Sequence, residues 1–194
     1  MNPDLRALCL SEEISSDIRL ALSSAELIFE DEEILKALDQ LAIRLRVGFY
    51  ERHPIVLFNL KDAVWFFANV APRLLLPQTS GYCEFDVDQI GTEITWKMEP
   101  TVDVRNRDVL FFLGELKNRD LVTGLNRWAR VRGALSVGVV ALVDQSDESS
   151  QSPNIYSCFR SGRETMFGCG LQIHGYGFSL SNIYTVSGLS LIHI

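Results

Sequence analysis

The stretch from Arg107 to Val143 constrains this sequence most. Within it, Val109–Leu113 (VLFFL) and Val137–Val143 (VGVVALV) are short, continuous apolar runs. Such runs mark strands buried on both faces, as parallel strands are. Between them lie a polar segment, GELKNRD, and an amphipathic segment, Leu121–Arg132, that closes at Gly133. Strand, loop, helix and strand in that order make a unit long enough for a right-handed crossover. The upstream half repeats the alternation. Asp31 can cap a helix to about Gly48, with Ile34, Leu35, Leu38, Leu41, Ala42 and Leu45 on one stripe. Pro54 then introduces IVLFNL as a buried strand, and AVWFFANVA after the Lys61-Asp62 turn reads as a helix ending near Pro72. Thr79–Phe85 and Glu93–Met98 are strand-like around a turn at Gly91, and short glycine-separated strands follow Ile155. The fold class is α/β, a mainly parallel sheet flanked by helices. Ligands of such sheets sit beyond the carboxyl ends of the strands, which directs attention to residues 60–63, 113–120 and 144–153.

Size and charge narrow the function. A chain of 194 residues, 47% hydrophobic and 22% charged, suits one domain that needs neither disulfide nor metal to fold. Its longest apolar runs, Ile55–Leu60 and Val64–Ala71, are interrupted by Asn59, Lys61 and Asp62. Neither approaches the roughly 20 residues of a membrane span. The start, MNPDLRALCLSEEISSD, is acidic where a signal peptide is basic, so a cytoplasmic location is expected. Cys9, Cys83, Cys158 and Cys169 show no paired spacing and are expected as reduced thiols. With 18 Lys+Arg against 25 Asp+Glu the net charge is −7, which argues against a nucleic-acid partner. The basic groups Arg105–Arg107 and Arg127–Arg132 read as solvated faces.

Five segments, in order, resemble the bacterial hypoxanthine-guanine phosphoribosyltransferases. IVLFNLKDAVWF is similar to that family's V-L-x-x-L-K-G-G-x-x-F, and GTEITWKMEP to its G-G-E-L-x-W-x-x-x-P. RDVLFFLGELKNRDLVTGLNRW stands where the family's R-D-V-L leads into D-D-I-L-D-(T/E)-G-x-T-L. RGALSVGVVALVDQ resembles the strand that follows, and FGCGLQIHGYGFSLSNIY the closing F-G-C-G-M-D-Y-x-G-Y-W-R-N-x-P-x-I-Y. The resemblance runs from about Ala25 to Gly188 without large gaps. It implies a type I phosphoribosyltransferase-like fold over residues 25–190, with residues 1–24 as an N-terminal extension and a small hood from the terminal segments. It also implies purine salvage as the family's reaction.

That reaction transfers a purine to the ribose of magnesium-bound phosphoribosyl pyrophosphate. Two adjacent acids hold the ribose hydroxyls, a third acts on the base proton, and a Thr-Gly backbone nest cradles the 5′-phosphate. Aligned on VLFF, Leu113 and Gly114 stand at the paired acids and Lys117 at the third. Asn118 and Arg119 take the nest positions, and Leu121 replaces a threonine hydroxyl. The lysine that meets the purine oxygen corresponds to Gln145, the stacking aromatic to Thr165, the second-metal acid to Gln172 and the pyrophosphate arginine to Phe178. In the flexible loop, Glu84-Phe85 with Asp86 and Asp88 replace a basic-aromatic pair. Lys61 keeps its type, beside Asp62 in place of glycine. Shifting the register by one offers Glu115 and Asn118 as acids' replacements, loses the match at Trp128, and leaves Asp120 where the nest wants glycine.

The expectation is a fold retained without its catalytic motif: no intact catalytic residue, no metal ligands and hence no magnesium. Candidate ligand contacts are Lys61, Asp62, Asn118, Arg119, Gln145 and Gln172. Three functions follow: a regulatory or partner-binding pseudoenzyme, as a homo-oligomer or a heteromer with an active relative; a purine or nucleotide sensor; and residual phosphoribosyl transfer. Plainer readings accompany the single residues. His174 reads as a satisfied strand-end group, His53 as a capping or solvated one, Asp144 and Glu148 as a solvated acidic loop, and Trp65-Phe66-Phe67 as packing.

Overall fold

The computed structural model describes residues 5–6, 14–87, 94–146, 154–162 and 164–186. The chain forms two compact units, Lys36–Arg163 and the paired terminal segments Met1–Leu35 with Glu164–Ile194. Gly91, Asp88, Glu148 and Cys9, named above, lie outside the described residues.

The larger unit is built on a six-stranded sheet of order β4-β3-β2-β5-β6-β7. The strands are β2 (Ile55–Asn59), β3 (Thr79–Val87), β4 (Ile94–Met98), β5 (Asp108–Leu116), β6 (Ser136–Asp144) and β7 (Ile155–Arg160). All pairings are parallel except β3 with β4. β5 and β6 are both flanked by strands on either side, and almost every residue in them is buried, as their apolar runs require. Helix α2 (Asp31–Phe49) enters this unit, and α3 (Val64–Leu74) and α4 (Arg119–Val131) lie wholly within it. The start of α2 is secured by Glu33, whose carboxylate accepts the Glu30 N–H at 3.1 Å, rather than by Asp31.

Leu121, Leu125, Trp128 and Ala129 recur along α4 at helical spacing and are buried against the sheet. They join a core with Phe85, Phe111, Val137 and Val139. Rings run through it as a chain: Phe85 to Trp96 at 5.2 Å, Trp96 to Trp128 at 5.1 Å, and Trp128 to Phe111 at 5.9 Å. Gly124 lets β4 come this close, since a Cβ there would lie 2.9 Å from Ile94. Of the expected aromatic triplet, Phe66 is fully buried and Phe67 stacks on Phe58 at 4.6 Å.

Two expectations are corrected here. Residues 113–120 do not form a loop: β5 continues through Leu116, pairing Glu115 with Val143 and Leu116 with Asp144, and α4 starts at Arg119. Buried Leu116 holds the strand in the sheet past Gly114, and the Asn118 side chain accepts the Asp120 N–H at 2.9 Å to start the helix. Asp144 is not a solvated loop acid either. It ends β6 and is 3% exposed.

The terminal unit contains α1 (Ser16–Ser23) and an antiparallel sheet of β1 (Glu26–Phe29), β9 (Ile183–Val186) and β8 (Thr165–Phe167), in that order. Leu5, Ile14, Leu22, Phe167, Ile173, Leu180 and Tyr184 form its own core. The F-G-C-G segment has a local reason. Gly168 has φ +105°, and a Cβ there would meet the Asn182 carbonyl at 1.9 Å. Among the described residues no helix is long and apolar enough to cross a membrane.

Candidate functional site

In the larger unit the carboxyl ends of the parallel strands gather Asn59 at the end of β2 with Lys61 and Asp62 after it, Glu84 and Asp86 on β3, residues 114–116 at the end of β5 with 117–119 after it, Asp144 at the end of β6 with Gln145 and Ser146 after it, and Arg160 on β7. The chain supplies its own counter-ions throughout this rim.

Asp62 spans two strands. Its carboxylate accepts the Asn59 amide at 3.0 Å and, more loosely, the Glu115 N–H at 3.4 Å. Burial pushes its pKa up to about 6, and the nearby Glu115 carboxylate pushes the same way. Glu115 is raised as well, by burial, although Lys117 pairs with it at 3.0 Å. The other Glu115 oxygen, Oε1, is buried and has no hydrogen-bond partner among the described residues. Folding thus shifts Asp62 towards its neutral form. Between its ordinary value of 3.8 and about 6, the folded protein holds a proton that the unfolded chain has released. The resulting stability is present at low pH and lost as pH rises through 6. A shift of this size corresponds to about 3 kcal/mol. Asp62→Asn keeps an acceptor for Glu115 and removes the charge. Urea unfolding at pH 7.5 should show a gain of about 1–3 kcal/mol, with a flatter profile from pH 4 to 6. An unaltered profile would mean that Asp62 does not titrate in that window.

Lys61 is paired within the chain, at an exposed position. Its ammonium pairs with Asp86 at 2.5 Å, and Lys97 reaches the other oxygen of Asp86 at 2.7 Å. These hydrogen bonds, that of Lys61 first, hold the Asp86 carboxyl down at about 2. Lys97 also lies 3.8 Å from Glu84. The acidic face of β3 thus engages the lysine that the sequence alone left as a ligand contact.

A third group surrounds Asp144. Ser146 donates both its N–H and its hydroxyl to Asp144, while Arg119 lies 3.5 Å and Arg160 3.8 Å away. The Arg119 side chain is 21% exposed, and its Nε and Nη1 are buried without a hydrogen-bond partner among the described residues. Gln145 is buried, and its N–H donates to the Leu116 carbonyl at 2.8 Å. Of the six expected ligand contacts, Lys61, Asp62, Asn118, Arg119 and Gln145 belong to this rim. Gln172 belongs to the terminal unit, where it is exposed between Leu171 and Ile173, as are Thr165, Phe178 and His174 in their own places. His53 is exposed with φ 48°, and its carbonyl accepts from Arg107. Arg160 was not singled out from sequence, because nothing local marks a residue whose partner, Asp144, lies on another strand.

Magnesium does not fit the positions where the resemblance places its ligands. Leu113 is buried in the core and has no donor atom, Gly114 has no side chain, and Lys117 is cationic. Asp62 and Glu115 bring two carboxyls together, but the first already accepts from N–H donors and burial raises the pKa of both. Among the described residues no group of three or more His, Cys, Asp or Glu side chains is placed to hold a metal ion.

The six-stranded sheet, its helices and the small terminal sheet together define a type I phosphoribosyltransferase fold. Solved structures with which the chain shares it are hypoxanthine and hypoxanthine-guanine phosphoribosyltransferases. A hypoxanthine phosphoribosyltransferase from Staphylococcus aureus superposes with a TM-score of 0.74 at 18% identity, over 84% of this chain and 91% of that one. A hypoxanthine-guanine phosphoribosyltransferase from Bacillus anthracis, solved with HEPES in its active site, gives a TM-score of 0.76 at 14% identity, over 84% and 97%. A hypoxanthine-guanine-xanthine phosphoribosyltransferase gives 0.73 at 19% identity, over 84% and 97%. No family model and no curated protein sequence matches the chain.

Proposed function

We propose that this chain is a non-catalytic relative of the purine-salvage phosphoribosyltransferases, a cytoplasmic protein that acts by binding a partner, either another copy of itself or an active relative. The observation that carries this reading is the build of residues 113–119. Where the resemblance calls for paired acids and a phosphate nest, β5 continues, Asn118 caps α4, and a carboxylate-laden rim surrounds them. A nest must present unpaired backbone N–H groups to an anion, and catalysis needs charges preorganised around the sugar. Here the Asn118 side chain takes the Asp120 N–H for itself. Above its pKa of about 6, Asp62 adds negative charge where a pyrophosphate would bring more, and Asp86 engages Lys61.

Pyrophosphate release from phosphoribosyl pyrophosphate with magnesium and hypoxanthine or guanine tests this reading. The rate should equal the protein-free background, and Lys61→Ala should leave it there. Turnover above background that Lys61→Ala abolishes would refute it. One observation favours a second reading, sensing of an anionic nucleotide: two buried nitrogens of Arg119, without a partner among the described residues, leave donors for a phosphate. A thermal-shift screen against purine bases and nucleotides separates the two. Stabilisation by a nucleotide that Arg119→Leu removes would establish sensing, and no shift with any ligand would leave partner binding.

A further inference from the structure

A strand at the edge of a sheet presents a row of backbone N–H and C=O groups that another extended backbone matches. β7 is such a strand, since it ends the order of the six-stranded sheet. Its register decides which groups are left over. Val139 is the partner of Ile155, and the Val139 N–H donates to the Asn154 carbonyl at 2.9 Å, so Asn154, Tyr156 and Cys158 turn their backbone groups towards β6. Ile155 and Ser157 turn theirs the other way. Among the described residues no strand pairs with that side, and the N–H groups of Ile155 and Ser157 make no hydrogen bond. The edge borders a groove of about 570 Å³, lined by Gln40, Ile43 and Arg44 of α2 and by residues 157–160 of β7. Ile43 is 54% exposed there. The charges that line it are positive. Arg44 donates to the Ser157 carbonyl at 2.6 Å and has no acidic partner among the described residues. Arg160, 42% exposed, lies 3.8 Å from Asp144, an acid that it shares with Arg119 and that is itself buried. Asp39, next to Gln40 on α2, pairs with Arg73 of α3 instead. Lys36 and Glu32, one and two turns before Gln40 on that helix, bring one charge of each sign.

We infer that the free edge of β7 takes up an extended acidic segment of a partner protein, which adds a strand to the sheet. Main-chain pairing with Ile155 and Ser157 holds the segment, and Arg44 and Arg160 select carboxylates among its side chains. Two other occupants match less of the surface. A second copy of this chain related by a dyad would bring the same two arginines against these, like charge against like. A nucleic-acid strand would satisfy the arginines but has no peptide groups for the edge. The inference rests on the partner-binding reading above, adds the surface and the chemistry of the partner, and sets a second copy aside at this place.

Fluorescence anisotropy of the full chain with a labelled, capped octapeptide of alternating valine and glutamate tests it, with circular dichroism melts to confirm folding of each variant. The peptide should bind saturably. Lysine in place of its glutamates, or methylation of its alternate backbone nitrogens, should each weaken binding about tenfold, which is about 1.4 kcal/mol. Arg44→Glu should do the same. Ser157→Pro removes an outward N–H and no bond to β6, a change that an edge strand tolerates, and should weaken binding to a similar degree. Absence of saturable binding overturns the inference. So does binding that backbone methylation and Ser157→Pro leave unchanged, or equal binding of a labelled oligothymidylate, because either reduces the groove to a patch of positive charge. Turnover is scored separately. No binding and no turnover discards this surface and leaves the non-catalytic reading intact, and peptide binding by a chain that turns over does the reverse.

Discussion

Phe111→Ala should destabilise the larger unit by about 4 kcal/mol, within the range of buried phenylalanine truncations. Phe111 lies in the central strand β5, is fully buried, and meets the Trp128 indole edge-on at 5.9 Å. Its loss opens a cavity beneath α4 that strand pairing on both sides prevents from collapsing. The effect should reach beyond one site, because Trp128 also steadies Trp96 of β4 and stacks under the Arg132 guanidinium at 4.5 Å. Native stabilities are about 5–15 kcal/mol, so the variant should unfold at much lower urea concentration and show weakened tryptophan fluorescence shifts on β4. A loss below 1 kcal/mol would mean that the ring chain carries little of the packing.

The second large effect is at the opposite, amino end of β5. Asp108 is 5% exposed and receives two hydrogen bonds from Arg52, at 2.9 and 2.6 Å, besides one from the Ser136 hydroxyl. Arg52 is 46% exposed and lies over the Phe49 ring. The two ends of this pair are unequal. Arg52→Leu strands a buried carboxylate and should cost about 3 kcal/mol, at the low end for breaking a buried ion pair. Asp108→Leu releases an arginine that water can still reach, and should cost less. The double replacement should recover part of the Arg52→Leu loss, since no buried charge remains. If Asp108→Leu proves the worse of the two, the asymmetry of solvation is not what governs this pair.

Much of the framework was legible in the sequence because buried parallel strands must be continuously apolar. IVLFN, VLFFL and VGVVALV all became central strands, and Gly133, at φ 86°, closes α4 where expected. The site was less legible. Gly114, Glu115 and Lys117 looked like a loop because apolar periodicity gives no signal at the polar end of a buried strand. The sequence did contain one cue, Asn118 as a helix cap, which would have set the start of α4 closer to Arg119. Asp144 looked solvated because its sequence neighbours are acidic, but its partners Arg119 and Arg160 come from α4 and β7. The Lys61–Asp86 pair depends on the parallel register of β2 with β3, which no local pattern contains.

The central claim is that the scaffold persists while the phosphoribosyl site has been rebuilt as paired strand, helix cap and internal ion pairs. Isothermal titration calorimetry of the chain with phosphoribosyl pyrophosphate, with and without magnesium, tests it most directly. The prediction is no binding heat in either condition and none gained by adding a purine. A saturable, magnesium-dependent isotherm with one site per chain would contradict it.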